Sequence, residues 1–478
     1  MKLDSEIRRA ILHINAQMNT KNTENEDDEK KITKISERVS NELENNSYGF
    51  SQLSSIVLKQ GTKKRLVKRF NDNFSTENIL CHCIKQILDR EFKIKYPNRN
   101  KISRSLFNVI GTIKHMSEFT IIRFDFKNYF NSISSVYFYK KSLQSNLRNR
   151  FEKDLINKFV TDTKYAFAGL PTSNVIAEII GKLFDEEVLK NFLEYGLIFY
   201  ERYIDDMIII LNQYLSEDEF KDKLLKSIGE VFHDKSIESS PDCVPKCTTK
   251  MNMQKFRYIS KKDMITNKEY NLDFLGYKFI FEKKENNIEI KYGITNEKMN
   301  KYKEKIKGII ALFKDKSSPD YNNMELLRHR ILAFSCREVY LTKKFKSNIW
   351  KVKGFISNYG ELRYLLDKKE ASQKDKKEKK ELVEKDTEDF LKNIIRSSFE
   401  DSKVEIPYFL KNEGKGYSLY YNMLKNKTLL FHSHIGYSYT SLCNLCEKIG
   451  ISITDSSNRK RSYDMLVRDY LIKTKVGY

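Results

Sequence analysis

Two stretches decide the fold: residues 119–134, FTIIRFDFKNYFNSIS, and residues 196–211, GLIFYERYIDDMIIIL. In the first, an apolar run typical of a β-strand ends at Asp125. In the second, two apolar runs flank Asp205 and Asp206, which predicts a hairpin with adjacent acids at its tip. Strands on both sides would hold these carboxylates rigidly and expose them at one edge of a sheet.

Clustered carboxylates of this kind suit hard divalent cations, because Mg²⁺ prefers fixed oxygen ligands. Two such ions, about 3.5–4 Å apart, can clamp the attacking and leaving oxygens of a phosphoryl transfer. Two structural explanations compete: an Asp-Asp pair is common in turns, and a single Asp after a strand is common as a helix cap. The order of the motifs favours catalysis, with Mg²⁺ expected and Mn²⁺ as an alternative.

The segments between and after these acids carry further motifs. Gly169 and Ser173 lie in a turn-forming loop, GLPTS, that opens a long helix. A glycine there would let the backbone approach a base pair closely, and Ser173 would cap the helix or contact substrate. Beyond the hairpin, Lys255 lies in MNMQKFRYIS, and residues 274–277 read FLGY, which by itself is also typical of a buried strand turn.

Composition bounds the class of protein. The 478 residues are 40% hydrophobic and 12% aromatic, which excludes a disordered chain, and the net charge of +22 favours a polyanionic partner or, equally, a soluble lysine-rich surface. No signal peptide or membrane-spanning run is evident, and the seven scattered cysteines are typical of reduced thiols. We therefore expect a cytoplasmic protein that does not bind membranes. The pairs Cys81/Cys83 and Cys443/Cys446 are interpreted as packing cysteines and not as zinc ligands.

The order of the motifs resembles the successive palm motifs of reverse transcriptases. It consists of FDFKNYF, GLPTSNVIAEI, YIDD, an Asn-x-x-Lys segment ending at Lys255, and FLGY, over about residues 50–310. The resemblance implies an α+β, right-hand polymerase fold with fingers and palm, a helical thumb-like region and a helical C-terminal domain. The boundaries expected are 1–47 (helix and loop), 48–285 (fingers and palm), 286–366 (thumb-like), 367–388 (charged linker) and 389–478 (helical).

The resemblance also implies roles for residues. Asp125, Asp205 and Asp206 correspond to the metal-binding catalytic carboxylates, with the Phe126 carbonyl as a further ligand, and Lys255 to a lysine that protonates pyrophosphate. Phe130 would stack beneath the sugar and exclude a 2′-hydroxyl, which favours deoxynucleotides. The expected nucleotide-binding set is Phe130, Tyr129, Lys64, Arg65, Gly169, Ser173 and Tyr203.

The second motif, GLPTSNVIAE, looks more like that of bacterial abortive-infection and other defence-associated reverse transcriptases than that of retron or group II intron enzymes. The partners implied are an RNA template or structured noncoding RNA, a DNA product, dNTPs, and a second copy or a second defence protein. RNA-directed DNA synthesis is the expected activity. Template-independent, protein-primed synthesis and an inactive RNA-binding scaffold remain as alternatives.

Two further expectations concern the later part of the chain. The segment LLRHRILAFSCREVYLTKKFK is interpreted as a basic helix that packs through an apolar stripe and binds nucleic acid through Arg328, Arg330, Arg337, Lys343 and Lys344. If a protein hydroxyl primes synthesis, Tyr478 is the candidate, with Tyr470 and Thr474 as neighbouring alternatives.

Overall fold

The computed structural model describes residues 3–18, 26–60, 63–239, 244–285, 287–314, 321–344, 347–371, 382–455 and 457–475. The chain divides into two compact units, within Met1–Lys268 and Glu269–Tyr478, called here the N-terminal and C-terminal units. The division falls before FLGY, inside the 48–285 region that the sequence analysis treated as one fingers-and-palm domain.

The N-terminal unit mixes helices with two sheets. Its helices are α1 (Asp4–Met18), α2 (Glu26–Glu44), α3 (Thr76–Glu91), α4 (Arg99–Ile113), α5 (Tyr129–Ser132), α6 (Ser135–Phe138), α7 (Gln144–Asn146), α8 (Arg150–Thr163), α9 (Ser173–Phe192), α10 (Glu217–Phe232) and α11 (Lys235–Glu238). Its strands are β1 (Ser54–Gln60), β2 (Lys63–Arg69), β3 (Thr120–Asp125), β4 (Leu197–Tyr203), β5 (Asp206–Leu211) and β6 (Arg257–Ser260).

The start of the chain differs from its expected helix and loop. Helix α1 buries Ile7, Ile11 and Ile14, whose spacing places them on one face, as predicted. The polar run at 21–31, KNTENEDDEKK, predicts a loop after the first helix, and this prediction is wrong in its second half because α2 begins at Glu26. Helix α2 buries Ile32 and Val39, which lie on one face of an amphipathic helix.

A four-stranded antiparallel sheet, in the order β4-β5-β3-β6, forms the centre of the N-terminal unit. Alternation along β3 sends Phe124 to one face, where its ring meets Phe184 of α9 and Phe220 of α10. Asp125 therefore points to the opposite face. A separate two-stranded ribbon, β1-β2, carries exposed Val57 and Leu66.

The C-terminal unit also mixes helices with two sheets. Its helices are α12 (Asn296–Lys314), α13 (Tyr321–Ser335), α14 (Phe355–Asn358), α15 (Gly360–Ala371), α16 (Lys385–Asp401), α17 (Tyr408–Asn412), α18 (Leu419–Leu424), α19 (Tyr439–Lys448) and α20 (Tyr463–Lys473). Its strands are β7 (Glu269–Phe274), β8 (Tyr277–Lys283), β9 (Ile288–Ile294), β10 (Arg337–Lys344), β11 (Ser347–Lys353) and β12 (Thr428–Phe431).

Three expectations for this unit need correction. The apolar run at 273–281, DFLGYKFIF, predicts a single strand, but it forms most of the hairpin β7-β8, because Leu275 and Gly276 both have positive φ, 50° and 82°, and form its two-residue turn. The alternating run at 287–294 predicts a strand, and β9 confirms it. The thumb-like region, expected to be helical, also contains β10 and β11, and the C-terminal region, likewise expected to be helical, contributes β12. Strand β12 pairs in parallel with β10 from about 90 residues earlier, a contact that local periodicity does not encode.

The charged stretch 367–388 is partly packed in the fold. Residues 372–381 lie outside the described residues. Immediately after them, the backbone N–H of Tyr292 donates to the Leu382 carbonyl, and that of Glu384 donates to the Tyr292 carbonyl, on the two sides of Val383. Lys278 pairs with Glu384 at 2.5 Å. The end of the expected linker is therefore fixed against the β7-β8-β9 sheet.

The described cysteines, which include both local pairs, are buried and form no disulfides. Within the described residues, no helix is both long enough and apolar enough to cross a bilayer.

Candidate active site

The register of the central sheet brings the predicted carboxylates together. Strands β3 and β5 run antiparallel with Asp125 directly opposite Asp206, so both side chains leave the same face. Asp205 lies next to them in the turn between β4 and β5. Asp125 is 1% exposed, whereas Asp205 and Asp206 are partly exposed. These three carboxylates form an acidic cluster at the edge of the sheet, called here the ledge.

The turn that carries Asp205 is strained. Tyr203 pairs with Asp206, which leaves Ile204 and Asp205 as a two-residue turn. Ile204 has φ +62°, a left-handed conformation that is costly for a β-branched side chain. The Asp205 carbonyl accepts a hydrogen bond from the backbone N–H of Phe126 at 3.2 Å, so the turn is fixed to the residue after Asp125.

Two positively charged side chains pair with the carboxylates. The Nε of Arg123 donates to Asp206 at 2.8 Å, and the ammonium of Lys255 contacts Asp125. Arg123 also donates through Nη1 to the Lys255 carbonyl at 3.0 Å, which links the two pairs. Since removing one partner of a buried pair leaves an uncompensated charge, the acids and cations form one electrostatic unit.

The segment that carries Lys255 is hydrogen-bonded to the end of strand β3 and the residues that follow it. The backbone N–H of Asn252 donates to the Asp125 carbonyl at 2.9 Å, and that of Lys127 donates to the Lys250 carbonyl at 2.9 Å. A single 3₁₀ turn, Met253–Lys255, then directs the lysine toward the acids. The structure thus brings Lys255 to Asp125 across 130 residues of sequence.

The electrostatics of the ledge favour added positive charge. Burial raises the pKa of Asp206 to about 6; Arg123 opposes the shift, and the neighbouring Asp125 and Asp205 add to it. Asp125 Oδ1 is buried and, among the described residues, has no hydrogen-bond partner. A buried carboxylate oxygen without a partner fits a divalent cation, which would neutralise the repulsion among the three acids.

The described residues do not, however, contain three or more acidic, histidine or cysteine side chains already closed around one metal position. Lys255 contacts the other oxygen of Asp125, Oδ2, and leaves Oδ1 without a hydrogen-bond partner among the described residues. A cation that bound both oxygens of Asp125 would therefore displace Lys255 from Oδ2.

A buried arginine braces the turn from behind. Arg202, on β4, donates to Asp185 through Nε at 2.8 Å and to Glu178 through Nη2 at 3.1 Å, and both acids lie on α9. Its Nη1 donates to the Ile204 carbonyl at 3.1 Å. Burial works against the charged form, but Asp185 and Glu178 outweigh it and the pKa of Arg202 is raised.

Gly181 makes room for that arginine. A β-carbon at position 181 would lie 2.6 Å from both Nη1 and Nη2 of Arg202. The guanidinium therefore lies flat against the α9 backbone, and the helix, the arginine and the Ile204 carbonyl form a continuous support for the turn.

The loop before α9 serves packing in this structure. Gly169 has φ +105°, and a β-carbon there would lie 2.6 Å from the Lys68 carbonyl, so the glycine accommodates strand β2 and not a base pair. Ser173 is buried, and its hydroxyl donates to the Phe167 carbonyl. It is therefore neither the helix cap nor open to substrate; the N-cap residue is Thr172.

The two aromatic residues after Asp125 have different environments. Tyr129 is 2% exposed, its ring stacks on Phe126 at 5.1 Å, and its hydroxyl donates to the Ala177 carbonyl at 3.1 Å. It therefore belongs to the core, contrary to the expected nucleotide contact. Phe130 is partly exposed, and Tyr203 is partly exposed beside the turn, so both remain candidates for that role.

The remaining predicted site residues lie on several different helices and strands. Lys64 and Arg65 lie on β2, but their side chains are outside the described part of the chain. The expected basic helix ends at Ser335, and Arg337, Lys343 and Lys344 lie on β10. Strand β10 pairs on both edges, and this pairing outweighs the helical pattern that precedes it.

The predicted cations that the structure describes already have partners within the protein. Arg328 pairs with Glu413 at 2.9 Å, and Arg330 donates to the Lys473 carbonyl at 3.3 Å. Arg337 donates to Thr428 at 3.1 Å. Their assignment to nucleic-acid binding stays a prediction.

The candidate primer residues also lack support. Tyr478 lies outside the described residues. Tyr470 is fully buried and its hydroxyl lies 3.3 Å from His329 Nδ1, while Thr474 is 1% exposed and donates to the Tyr470 carbonyl. The two alternatives are therefore wrong as accessible hydroxyls, because both belong to the core around α20.

Sequence reasoning missed Arg123, Arg202 and Gly181. Each carried a signal: an arginine two residues before Asp125 must share its face, Arg202 is a charge near the end of a strand, and Gly181 interrupts an apolar helix. The sequence pattern does not identify the partners of these residues, because Arg202, for example, pairs with acids 17 and 24 positions away.

Comparison with known proteins adds little. No protein-family model matches the chain, and no curated protein sequence is similar to it. Among solved structures, it is similar to apo telomerase from Candida tropicalis truncated from its C-terminal domain, with 13% identity and a TM-score of 0.32 over 51% of this chain and 57% of that chain. It is also similar to telomerase from Candida albicans in complex with a TWJ fragment of telomeric RNA.

For the Candida albicans structure, identity is 10% and the TM-score 0.33, over 83% of this chain and 61% of that chain. The chain thus spans less than two thirds of each telomerase chain. Likeness at this level establishes neither a shared family nor a shared activity.

Proposed function

We propose that the chain is a reverse transcriptase, an RNA-directed DNA polymerase that uses dNTPs. One observation carries the proposal: the β3-β5 register sets Asp125 opposite Asp206, with Asp205 in the adjoining strained turn. The five motifs in palm order support it, as does the contact between Lys255 and Asp125.

The reaction assigns each group a task. The 3′-hydroxyl releases its proton to water, its oxygen bonds to the α-phosphorus of the dNTP, the bond between the α-phosphorus and the bridging oxygen breaks, and pyrophosphate leaves. Asp125, Asp205 and Asp206 would hold two Mg²⁺ ions, which when bound supply charge stabilisation for the attacking and leaving oxygens. Lys255, freed from Asp125, would donate a proton to the leaving pyrophosphate.

The test is primer extension by the purified chain on a defined RNA template, with each dNTP omitted in turn. Extension that stops opposite the template base whose complement is missing supports RNA-directed synthesis. Extension that ignores the template would instead identify template-independent synthesis. Absence of incorporation under every condition would leave an inactive RNA-binding scaffold as the remaining alternative.

The biological role proposed is antiphage defence, because GLPTSNVIAE resembles the form found in defence-associated enzymes. Phage should form fewer plaques on cells that express the chain than on cells that express an Asp125→Asn variant. Equal plaque counts across a broad phage panel would contradict the defence role without touching the enzymatic proposal.

Sugar selection offers a prediction at Phe130. Phe130→Ala is expected to raise ribonucleotide incorporation relative to deoxynucleotide incorporation by about tenfold or more, because a removed side chain no longer excludes the 2′-hydroxyl. Single-nucleotide kinetics with matched dNTP and NTP give the ratio. Tyr129→Phe is the control: its ring stays in the core and the ratio should not change. An unchanged ratio for Phe130→Ala would place the steric exclusion elsewhere.

A further inference from the structure

The C-terminal unit contains a sheet with one covered and one open face. Its strands lie in the order β11-β10-β12. On one face, Leu429 and Phe431 are buried in a core with residues of α19 and α20, including Leu442 and Tyr470. The other face therefore lies on the side away from that core.

Apolar side chains line the open face. Cross-strand pairs set Leu341 beside Trp350 and Val339 beside both Val352 and Leu430. Trp350 and Val352 are 45% and 47% exposed, and the other three are partly exposed. Apolar side chains aligned across three strands are a contiguous surface and not scattered exposure.

An aromatic pair crosses this face. His432, one residue beyond β12, has its ring 5.5 Å from that of Trp350 with an interplanar angle of 34°. Its Nδ1 accepts a hydrogen bond from the backbone N–H of His434 at 3.2 Å, which orients the imidazole. Two flat rings thus lie side by side on a sheet surface.

The charge of the β10-β11 hairpin indicates which class of ligand binds the open face of the sheet. Residues 337–353, REVYLTKKFKSNIWKVK, contain six lysines and arginines and one acid, Glu338. Glu338 pairs in register with Leu429 and is 7% exposed, so it lies on the covered side. Lys351 and Lys353, opposite Tyr340 and Glu338, share that side, whereas Arg337 shares the face of Val339 and lies on the open side. An aromatic surface on a basic hairpin complements a polyanion with flat, stackable groups better than an apolar protein surface.

We propose that this face, defined by Val339, Leu341, Trp350, Val352, Leu430 and His432, binds single-stranded nucleic acid by stacking bases on Trp350 and His432. The surface lies wholly in the C-terminal unit, and the proposal does not depend on catalysis in the N-terminal unit. Since every base has a π-face, stacking of this kind tolerates many sequences.

Trp350 is the single tryptophan of the 478 residues, so tryptophan emission, excited selectively over the tyrosines, reports this surface alone. Titration with oligo(dT) or oligo(rU) is expected to quench that emission to saturation. Inorganic polyphosphate, which carries charge but no bases, should quench far less. Equal quenching by polyphosphate, or none at oligonucleotide concentrations that saturate binding by anisotropy, would overturn the proposal.

Variants complete the test through the anisotropy of a labelled oligonucleotide. Trp350→Ala should weaken binding about 5- to 100-fold, the range for loss of one stacked base, whereas Trp350→Phe should retain most of the affinity. The control is Tyr408→Ala, an 80%-exposed aromatic in the same unit but outside the sheet, which should bind as the parent does. Parental affinity in Trp350→Ala would overturn the proposal. Concentration-dependent shielding of Trp350 from acrylamide without nucleic acid would overturn it in favour of self-association.

Discussion

Asp125→Asn is expected to lower the rate of nucleotide incorporation at least about 10³-fold, which corresponds to about 4 kcal/mol of transition-state stabilisation at 1.36 kcal/mol per tenfold. Asp125 is the most buried of the three acids, and its Oδ1 has no hydrogen-bond partner among the described residues. An amide of the same shape keeps the packing but lacks the charge that holds a divalent cation.

Single-turnover incorporation in Mg²⁺ measures this effect, with thermal unfolding as a check on the fold. Asp222→Asn is the matched control, because Asp222 is an exposed acid on α10 of the same unit and should leave the rate unchanged. A rate for Asp125→Asn within a few-fold of the parent would remove Asp125 from the catalytic group.

Gly181→Ala is expected to lower the rate constant of incorporation by about 10²-fold while the protein stays folded. The added methyl group meets the guanidinium of Arg202, which must move, and with it the hydrogen bond to the Ile204 carbonyl. A displacement near 1 Å in the supporting shell is enough for a loss of this size. Gly229→Ala is the matched control, since a β-carbon at this other helical glycine meets nothing within 4 Å.

Two measurements separate support of the turn from general destabilisation. Hydrogen exchange of the β4-β5 hairpin should accelerate in Gly181→Ala and not in Gly229→Ala. In an Arg202→Met background, Gly181→Ala should cost little further, because the clashing group is gone. Full additivity of the two substitutions, or unchanged exchange in the hairpin, would show that Gly181 does not act through Arg202.

The sequence predicts the grouping of the three carboxylates well, for a physical reason. Strand period is two and the runs at 119–125 and 207–211 are apolar, so the place where each strand ends and the face of its last acid follow from the pattern. The observed strands begin or end within one residue of those predicted. The pairing of Asp125 with Asp206 then follows once the strands are neighbours.

Features that depend on distant contacts are not predictable in this way. Gly169 reads as a glycine that admits substrate, yet the structure places the Lys68 carbonyl against it. Ser173 reads as a cap but donates backward to Phe167. In the C-terminal unit, β10 follows a helical pattern and becomes a strand only because β11 and β12 pair with it. Local periodicity contains no information about those partners.

The central claim is that Asp125, Asp205 and Asp206 form a nucleotidyl-transfer site. Its most direct test is single-turnover addition of one dNTP to a primer on an RNA template, with Mg²⁺ titrated against the purified chain and against Asp205→Asn. The account predicts saturable, Mg²⁺-dependent product from the parent, loss of product on chelation, and no product from Asp205→Asn. Absence of product from the folded parent, or equal rates for the parent and Asp205→Asn, would contradict it.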